Sequence, residues 1–391
     1  MVRKKKDEQE KPQRRARGEG SVFEREDSRW VARISLGGGK RKEEYYDSRG
    51  EAERARRRML NERDGGKLVT QRDQTLEEYL NYWLETTRLL VNETTHIMRS
   101  NYLRGRVIPA LGHVKLRKLT VEMFQKLYQE WAKEPLSPNT IRLIHGLVRQ
   151  ALEDAVRWKK LAYNPVQHAK LPKAKRPDIP ILTKEQVERV LECAHEMKLY
   201  ALFRMALLLG IRQGELLGLK WSNVDLEAAT VKIDCTVSYG KDPDTGKYRF
   251  IEGDPKTKAS RRVIPLPQDI VKALHQHREQ QEAMRACAAH WEDRGLVFCT
   301  RTGNYIAAKN IRVMFDRLLK MAGLEHMKFH ALRHNANAIL RRMKIDAVVR
   351  QQILGHEKID MTDGTYGHAT QEDLREAVQE LDQLFPHLEE E

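Results

Sequence analysis

The stretch Leu207-Leu208-Leu209-Gly210-Ile211-Arg212-Gln213-Gly214-Glu215-Leu216 joins the end of an apolar helix pattern to a charged turn. Gly210 and Gly214 interrupt the pattern on both sides of Arg212, and glycines allow a tight turn that presents the arginine inward. Glu215 is close enough along the chain to hold the guanidinium by a bidentate pair. The stretch therefore predicts an inward arginine held by a carboxylate, although a surface arginine beside a helix cap is an alternative that this segment alone favours.

Two cationic segments follow. The first, Pro255-Lys256-Thr257-Lys258-Ala259-Ser260-Arg261-Arg262-Val263-Ile264-Pro265-Leu266, lies in a hairpin-like segment that begins at Tyr248. A hairpin with this many cations suits a lysine that contacts a phosphate, although a solvated basic strand is an alternative. In the second, His330-Ala331-Leu332-Arg333-His334, His330 and Arg333 are three residues apart and project from the same face of a helix.

The same region contains histidines at a spacing that metal sites use. His326, His330 and His334 follow one another at intervals of four residues. No carboxylate or cysteine joins them nearby, and Asp360 stands where a His-Glu-x-x-His motif beginning at His356 would need its second histidine. These observations disfavour a metal site.

A fourth segment begins with Leu354-Gly355-His356 and reaches Tyr366 ten residues after the histidine. A tyrosine between turn-forming residues is usually a packed or capping aromatic. The order of the four segments is more specific than any one of them. Arginine, lysine, His-x-x-Arg, Leu-Gly-His and tyrosine follow one another between positions 212 and 366.

Composition limits the classes of protein to which the chain can belong. Its 391 residues include 71 Lys and Arg against 56 Asp and Glu, a formal net charge of +15, with 40% hydrophobic residues. No apolar run is long enough to span a membrane, and no apolar stretch follows the basic N-terminus as in a secretory signal. Four cysteines without Cys-x-x-Cys spacing indicate neither a disulfide scaffold nor a structural zinc. We expect an intracellular, metal-independent protein that binds a polyanion.

The patterning predicts a mainly α chain with small β elements (α+β) in three domains. Residues 1–19 form a basic disordered arm, and residues 20–65 form three short strands plus a helix. Residues 75–165 form a four-helix bundle in which Thr75 and Glu78 make a capping box. A basic, proline-rich linker (166–180) leads to a mixed, mostly helical domain (181–391), which ends in an acidic, amphipathic tail.

The four ordered segments resemble the tyrosine recombinase family, the integrases of phages and mobile elements. The resemblance covers the whole chain. Residues 20–65 are similar to the arm-site DNA-binding module of larger integrases, 75–165 to the core-binding domain and 181–391 to the catalytic domain. It implies a site-specific recombinase with no metal or cofactor that cleaves DNA through a covalent 3′-phosphotyrosyl intermediate. The implied catalytic residues are Arg212, Lys256, His330, Arg333, His356 and the nucleophile Tyr366, with Glu215 in support.

The resemblance also implies individual roles. Arg212 and Arg333 would neutralise the phosphate oxygens with planar forks, aided by His330 and His356. His330 is the candidate base for the Tyr366 proton, and a hairpin lysine is the candidate acid for the leaving 5′-oxygen. We prefer Lys256 to Lys258 because a Lys-Thr pair at the hairpin entrance is closer to the family. His334 would either sit in the site or pack beside Arg333, and we favour packing. Asn335, where many relatives have threonine, has no mechanistic explanation.

The implied partner is double-stranded DNA with core and arm-type attachment sites, held by a homotetramer, with an excisionase and a DNA-bending host protein as possible accessory factors. No membrane is involved, and the expected location is the bacterial cytoplasm, at the nucleoid. In the family the C-terminal tail docks on a neighbouring protomer, whereas packing on its own domain is the simpler alternative. The candidate DNA contacts are Arg33, Lys40, Arg41, Lys115, Arg117, Arg142, Arg149, Lys173, Lys175 and Arg176.

Two other functions fit parts of the pattern. A type IB topoisomerase-like nicking-closing enzyme uses nearly the same residues, but the arm module and the tail favour a recombinase. A DNA-binding regulator without activity would leave Tyr366 with no purpose.

Overall fold

The computed structural model describes residues 19–37, 40–64, 74–174, 179–254, 261–355 and 369–385. Two compact units make up the chain. The first contains Met1–Leu90 and Arg99–Ala174, and the second contains Val91–Met98 and Lys175–Glu391. Helices dominate both units and the sheets are small and antiparallel, which confirms the predicted fold class. Within the described ranges, no helix is both long and apolar enough to cross a bilayer.

The first unit begins with the predicted three strands and helix. The strands β1 (Ser21–Glu24), β2 (Trp30–Gly37) and β3 (Lys40–Tyr46) form an antiparallel sheet in that order. Helix α1 (Arg49–Asp64) covers one face of the sheet. Its alanines and Met59 pack on alternate residues of β2 because successive strand side chains point to opposite faces. The buried core of this module consists of Ala32, Ile34, Ala52, Ala55 and Met59.

The rest of this unit is helical. Thr75 and Glu78 form the predicted capping box at the start of the first helix, with reciprocal hydrogen bonds of 3.2 and 2.9 Å. Tyr79 and Trp83 of that helix bond to Ala151 and Asp154, so aromatic side chains join the first helix to the last. The helices are α2 (Leu76–Thr86), the end of α3 (Glu93–Tyr102), α4 (Ile108–Leu111), α5 (Val121–Lys133) and α6 (Pro138–Arg157), with a π-helical turn at Leu103–Val107 between α3 and α4. The residues of α3 up to Met98 belong to the second unit.

The beginning of the predicted linker is bonded to these helices. A short 3-10 helix spans Pro165–His168. The Gln125 side chain then pairs with the backbone of Lys170, accepting from its N–H at 2.8 Å and donating to its carbonyl at 3.2 Å. Arg142 donates to the carbonyl of Pro172 at 2.9 Å. These bonds satisfy backbone groups of a segment that has no regular structure.

The second unit contains the remaining helices and strands. It begins with α7 (Lys184–His195), α8 (Tyr200–Leu208) and α9 (Gln213–Leu217), followed by β4 (Val224–Asp225), β5 (Thr230–Ile233), β6 (Thr236–Lys241), β7 (Tyr248–Gly253) and β8 (Arg262–Pro265). It continues with α10 (Gln268–Ala286), α11 (Ala308–Met321), α12 (Ala331–Arg342), α13 (Ala347–Leu354) and α14 (Gln371–Leu384).

The strands of this unit do not pair as the sequence predicted. β7 pairs with β6, whereas β8 pairs with β5 in a separate sheet of order β4-β5-β8. The predicted hairpin from Tyr248 to Leu266 is therefore wrong. The true hairpin is β6–β7, where Asp242 accepts hydrogen bonds from the backbone of Asp244 and Thr245 in the turn. The backbone bonds of the ladder can be made with either neighbour, so local patterning does not determine the partner strand.

The C-terminal helix α14 packs on its own unit. Its apolar stripe lies in the main core of that unit, and Leu381 is fully buried. The buried Arg204 donates to the carbonyl of Phe385 and to Asp269. Asp382 accepts from the backbone N–H of Gln268 at 2.6 Å, at the start of α10, where a negative charge is favourable. Docking of the tail on a neighbouring protomer stays a prediction.

Candidate active site

The turn after α8 has a backbone that only glycine adopts without strain. Every residue of α8 is buried, so the turn lies inside the unit. Gly210 has φ +61°, and a Cβ there would lie 2.5 Å from Leu354 and 3.0 Å from Ala336. The turn brings Arg212 to the N-terminal end of α9. The glycine that interrupts the sequence pattern is thus required both by the backbone and by the packing around it.

Replacing Gly210 with alanine is expected to destabilise the second unit by about 2 to 4 kcal/mol. The positive φ costs about 1–2 kcal/mol for a residue with a Cβ, and the added methyl overpacks the contact with Leu354. Urea denaturation followed by mass-spectrometric hydrogen exchange would report each unit separately. Gly146→Ala is the control, because that glycine lies within α6 with open space around it and alanine favours helix. Equal stability of Gly210→Ala and the wild type would contradict this account of the turn.

Glu215 holds Arg212 in place. One carboxylate oxygen accepts from the Arg212 Nη1 at 2.7 Å, and the other accepts from the Arg212 backbone N–H at 3.2 Å. Both carboxylate oxygens of Glu215 therefore bond to Arg212, one to the guanidinium and one to the main chain. The second guanidinium nitrogen, Nη2, donates to the carbonyl of Gly355 at 2.8 Å. The Arg212 side chain is 36% exposed, so part of it faces solvent while its position is set from inside.

Arg333, on α12, converges on the same carbonyl. Its Nη1 donates to the carbonyl of Gly210 at 2.8 Å and its Nη2 lies 3.5 Å from that of Gly355. The residue is only 5% exposed. Burial, together with the positive charges of Arg212 and Arg262, lowers the pKa of Arg333 to about 9. Two guanidinium groups thus meet at the backbone directly before His356, and they form a preorganised cationic site.

His330 stands one turn before Arg333, at the start of α12. Partial burial and the neighbouring charges of His334, Arg333 and Arg212 lower the pKa of the His330 imidazole. The neutral form, which can accept a proton, is therefore favoured at neutral pH. The His334 ring packs edge-on against His330 with centroids 5.2 Å apart. The ring contact of His334 is therefore with His330, and packing of His334 beside Arg333 stays a prediction.

The regularly spaced histidines do not come together as metal ligands among the described residues. Among them, no group of three or more histidine, cysteine or carboxylate side chains could hold an ion. His326, the first member of the spaced histidines, pairs instead with Asp316 at 2.9 Å.

Four of the predicted residues, Lys256, Lys258, His356 and Tyr366, lie outside the described residues. They fall in two undescribed ranges, 255–260 and 356–368, and a residue next to each range is described. Gly355 closes α13 in the left-handed conformation with φ +69°, directly before His356. Arg262 begins β8, shortly after the segment that contains both lysines.

Arg262 is a residue of the cluster that the sequence interpretation missed. Its Nη2 donates to Glu215 at 3.0 Å and its Nε to the carbonyl of Ile353 at 2.9 Å. Its side chain is only 5% exposed. One signal was available, because Arg262 and the apolar Ile264 are two residues apart and therefore share a face of the strand. An arginine on an inward strand face needs a buried partner.

Asn335, which had no explanation from the sequence, has a structural role in this chain. Its side-chain oxygen accepts from the Leu182 N–H at 2.6 Å, and its amide nitrogen donates to the carbonyls of Pro180 and Ala331. The residue is 1% exposed. Because an amide offers two donors where a hydroxyl offers one, asparagine satisfies more of this buried backbone than threonine could. Asn335 thereby attaches the end of the linker to α12.

The candidate DNA-contact residues have differing surroundings. Arg33 pairs with Glu43 at 2.5 Å and lies over the Phe23 ring. Lys115 is half-buried, and the side chains of Lys40, Lys175 and Arg176 lie outside the described residues. The remaining side chains of that set are exposed: Arg41, Arg117, Arg142, Arg149 and Lys173.

Comparison with known proteins identifies the family of the chain. Residues 180–373 match the model of the phage integrase family, and residues 75–132 match the N-terminal SAM-like domain of phage integrases. The XerC-like tyrosine recombinase of Caldanaerobacter subterraneus subsp. tengcongensis is 30% identical over 360 residues, which cover 88% of this chain and 92% of that protein.

Two solved structures share the fold. One is the Tn1549 transposon integrase in complex with a circular intermediate DNA, at 20% identity and a TM-score of 0.60, covering 79% of this chain and 99% of that one. The other is a lambda integrase tetramer bound to a Holliday junction, at 16% identity and a TM-score of 0.51, covering 88% and 98%. By its family match and its similarity to the XerC-like enzyme, the chain belongs to the tyrosine recombinases of the phage integrase family, which are site-specific DNA recombinases.

Proposed function

We propose that this recombinase cleaves and rejoins DNA through a covalent 3′-phosphotyrosyl bond to Tyr366, and that it integrates and excises a mobile element. The observation that carries the proposal is the convergence of Arg212 and Arg333 on the Gly355 carbonyl, directly before His356. Two arginines held at one point form a site for a single phosphate. The tyrosine that follows ten residues after His356 is the candidate nucleophile.

Charge neutralisation is the first task of the site. As the tyrosine attacks, charge grows on the non-bridging oxygens of the phosphate, and donors that are already in position stabilise it without reorganisation. Gly210, Gly355 and Glu215 hold the two guanidinium groups in position. Their planar forks match two phosphate oxygens each. In this proposal Arg212 and Arg333 bind these oxygens, with His356 as a further donor.

Proton transfer is the second task. The phenol of Tyr366 gives its proton to His330, whose neutral form is favoured by its surroundings. The phenolic oxygen forms the new bond to phosphorus, while the bond from phosphorus to the 5′-oxygen breaks. Lys256 supplies the proton that the leaving 5′-oxygen needs. Rejoining runs the same steps in reverse with a 5′-hydroxyl from another strand, and the phosphotyrosyl bond conserves the energy of the ester, so ATP is not consumed.

The three predicted domains would share the DNA. In this proposal residues 20–65 bind arm-type sites. Residues 75–165 and 181–391 enclose the core site, and the linker between them lies along the phosphate backbone of the DNA. Exposed Arg41, Arg117, Arg142, Arg149 and Lys173 are the candidate phosphate contacts among the described residues. Phosphate contacts supply affinity that falls as salt rises.

The assembly we propose is a homotetramer that holds two duplexes. The lambda integrase tetramer on a Holliday junction supports it by similarity of fold. An excisionase and a DNA-bending host protein would set the direction of the reaction. A chromosomal substrate would place the protein at the bacterial nucleoid.

The proposal is tested with core-site DNA taken from the sequence that flanks the gene. A nicked suicide duplex should trap a covalent complex that survives denaturing electrophoresis, and mass spectrometry of the DNA-linked peptide should locate the bond at Tyr366. Two cognate duplexes should also yield recombinant joints. A complex attached to another residue would refute the assignment, and relaxation of supercoiled plasmid without joints would indicate a topoisomerase-like enzyme instead.

A further inference from the structure

Arg262 is an almost fully buried arginine within the cluster. It is the first residue of β8, and its side chain is 5% exposed. A buried arginine is costly unless its charge and its donors are satisfied. Its partners are the carboxylate of Glu215 at 3.0 Å and the carbonyl of Ile353 at 2.9 Å.

Glu215 is shared between two arginines. One of its oxygens contacts Arg212 at 2.7 Å and the other contacts Arg262 at 3.0 Å. The side chain of Glu215 is only 3% exposed. Burial opposes its ionisation, yet the adjacent Arg262 and Arg212 hold the pKa of the carboxyl below its usual value. The carboxylate that holds Arg212 is therefore kept charged by Arg262 as well as by Arg212 itself.

Arg262 also packs against the end of α13. Its Nε donates to the carbonyl of Ile353, two residues before the Gly355 carbonyl that Arg212 and Arg333 approach. A Cβ on Gly355 would lie 2.7 Å from the Arg262 guanidinium, so the backbone and the guanidinium are in close contact. One side chain thus touches the residue that holds Arg212 and the backbone that leads into His356.

We propose that Arg262 is a positioning residue for strand cleavage, which aligns Arg212 through Glu215 and fixes the backbone before His356 through Ile353 and Gly355. The inference deepens the proposed function and rests on the roles given there to Arg212 and His356. Arg262 itself contacts no reacting atom in this scheme. Its removal would change how well the cluster is aligned, while the surfaces that bind DNA would stay intact.

The test uses full-length Arg262→Gln and Arg262→Lys with Arg261→Gln as the matched control. Arg261 is the neighbouring residue, but it is 58% exposed and pairs with the exposed Asp254. Single-turnover cleavage of a suicide core-site duplex at saturating protein gives the rate, and a binding titration gives Kd. We expect Arg262→Gln to lower the cleavage rate by about 10- to 100-fold, because small misplacements of reacting groups have effects of that size. Kd should change less than threefold, Arg262→Lys should recover part of the rate, and Arg261→Gln should match the wild type.

The pH profile separates positioning from a general loss of structure. Without Arg262 the pKa of Glu215 should rise, so the ratio of the Arg262→Gln rate to the wild-type rate should fall as pH is lowered, in addition to the loss that protonation of His330 causes in both proteins. In proteins that also carry Glu215→Gln, the same ratio should no longer change with pH, because the titrating carboxyl is absent. A general structural defect would instead lower the rate equally at every pH.

Three results would overturn the inference: a wild-type cleavage rate in Arg262→Gln, a loss explained entirely by weaker DNA binding, or a ratio to the wild-type rate that does not change with pH. Should Arg262→Gln not fold, Arg262→Lys is judged by the same criteria. Arg212→Lys distinguishes a failure of the proposed function from a failure of the role given to Arg262. If Arg212→Lys cleaves normally, the proposed function fails; if it is impaired while Arg262→Gln is normal, only the role of Arg262 fails.

Discussion

Tyr366→Phe is expected to bind core-site DNA with wild-type affinity and to form no covalent complex. The substitution removes only the hydroxyl oxygen, which is the atom that would bond to phosphorus. The proposed mechanism has no second nucleophile, so cleavage should fall by on the order of 10⁴-fold or more, as when other enzymes lose their nucleophile. Recombinant joints should disappear together with the covalent complex, because rejoining starts from the phosphotyrosyl bond.

A suicide duplex and denaturing electrophoresis measure the complex, and a gel-shift titration measures binding. Tyr163→Phe is the matched control, because Tyr163 is a 64% exposed tyrosine of the first unit that has no assigned role. It should behave as the wild type. A covalent complex that forms at the normal rate in Tyr366→Phe would show that another residue attacks the phosphate.

Arg333→Lys is expected to lower the cleavage rate by about 10²- to 10³-fold, the usual cost of losing a transition-state donor. The arginine fork reaches the carbonyls of both Gly210 and Gly355, and a single ammonium group cannot reproduce that geometry. The site also disfavours the charge, because burial and two neighbouring arginines lower the pKa of Arg333 to about 9.

A lysine starts from a lower pKa than an arginine, at about 10.4 against 12.5 or more. The same surroundings would therefore leave a larger fraction of a lysine uncharged. An amine loses its positive charge as pH rises through its pKa, so the lysine variant loses activity at a lower pH than the wild type. The ratio of the variant rate to the wild-type rate should thus fall between pH 6 and pH 9.

Single-turnover cleavage at saturating protein over that pH range measures the ratio, and Arg341→Lys, an exposed arginine on the same helix, is the control. A ratio within threefold of one at every pH would contradict the role of Arg333. A low ratio that does not change with pH would support the loss of the guanidinium geometry as the cause, and it would contradict the expectation that the lysine is partly uncharged.

Much of the local structure followed from the sequence because its causes are local. The capping box at Thr75 and Glu78 needs residues three apart, and the three strands and helix of residues 20–65 follow from alternation and turn residues. The turn at Gly210 was predicted because glycine interrupts an apolar helix pattern. Each of these features depends on backbone preferences within one segment.

Features with distant partners could not be predicted in the same way. Strand β8 pairs with β5 rather than with its neighbour β7. Asn335 bonds to Leu182, more than 150 positions away. The tail was recognised as amphipathic, but the sequence left open what its apolar stripe contacts, and in the structure it lies in the core of its own unit.

The sequence by itself supplied the candidate site residues and their order along the chain, because the motifs that carry the family resemblance lie within short segments. Only the tertiary structure decided that Arg212 and Arg333 meet at one carbonyl and that Glu215 lies between two arginines. Those contacts join segments that are far apart along the chain. Because these charges are removed from water, each one is stable only where the fold places an oppositely charged or hydrogen-bonding group beside it.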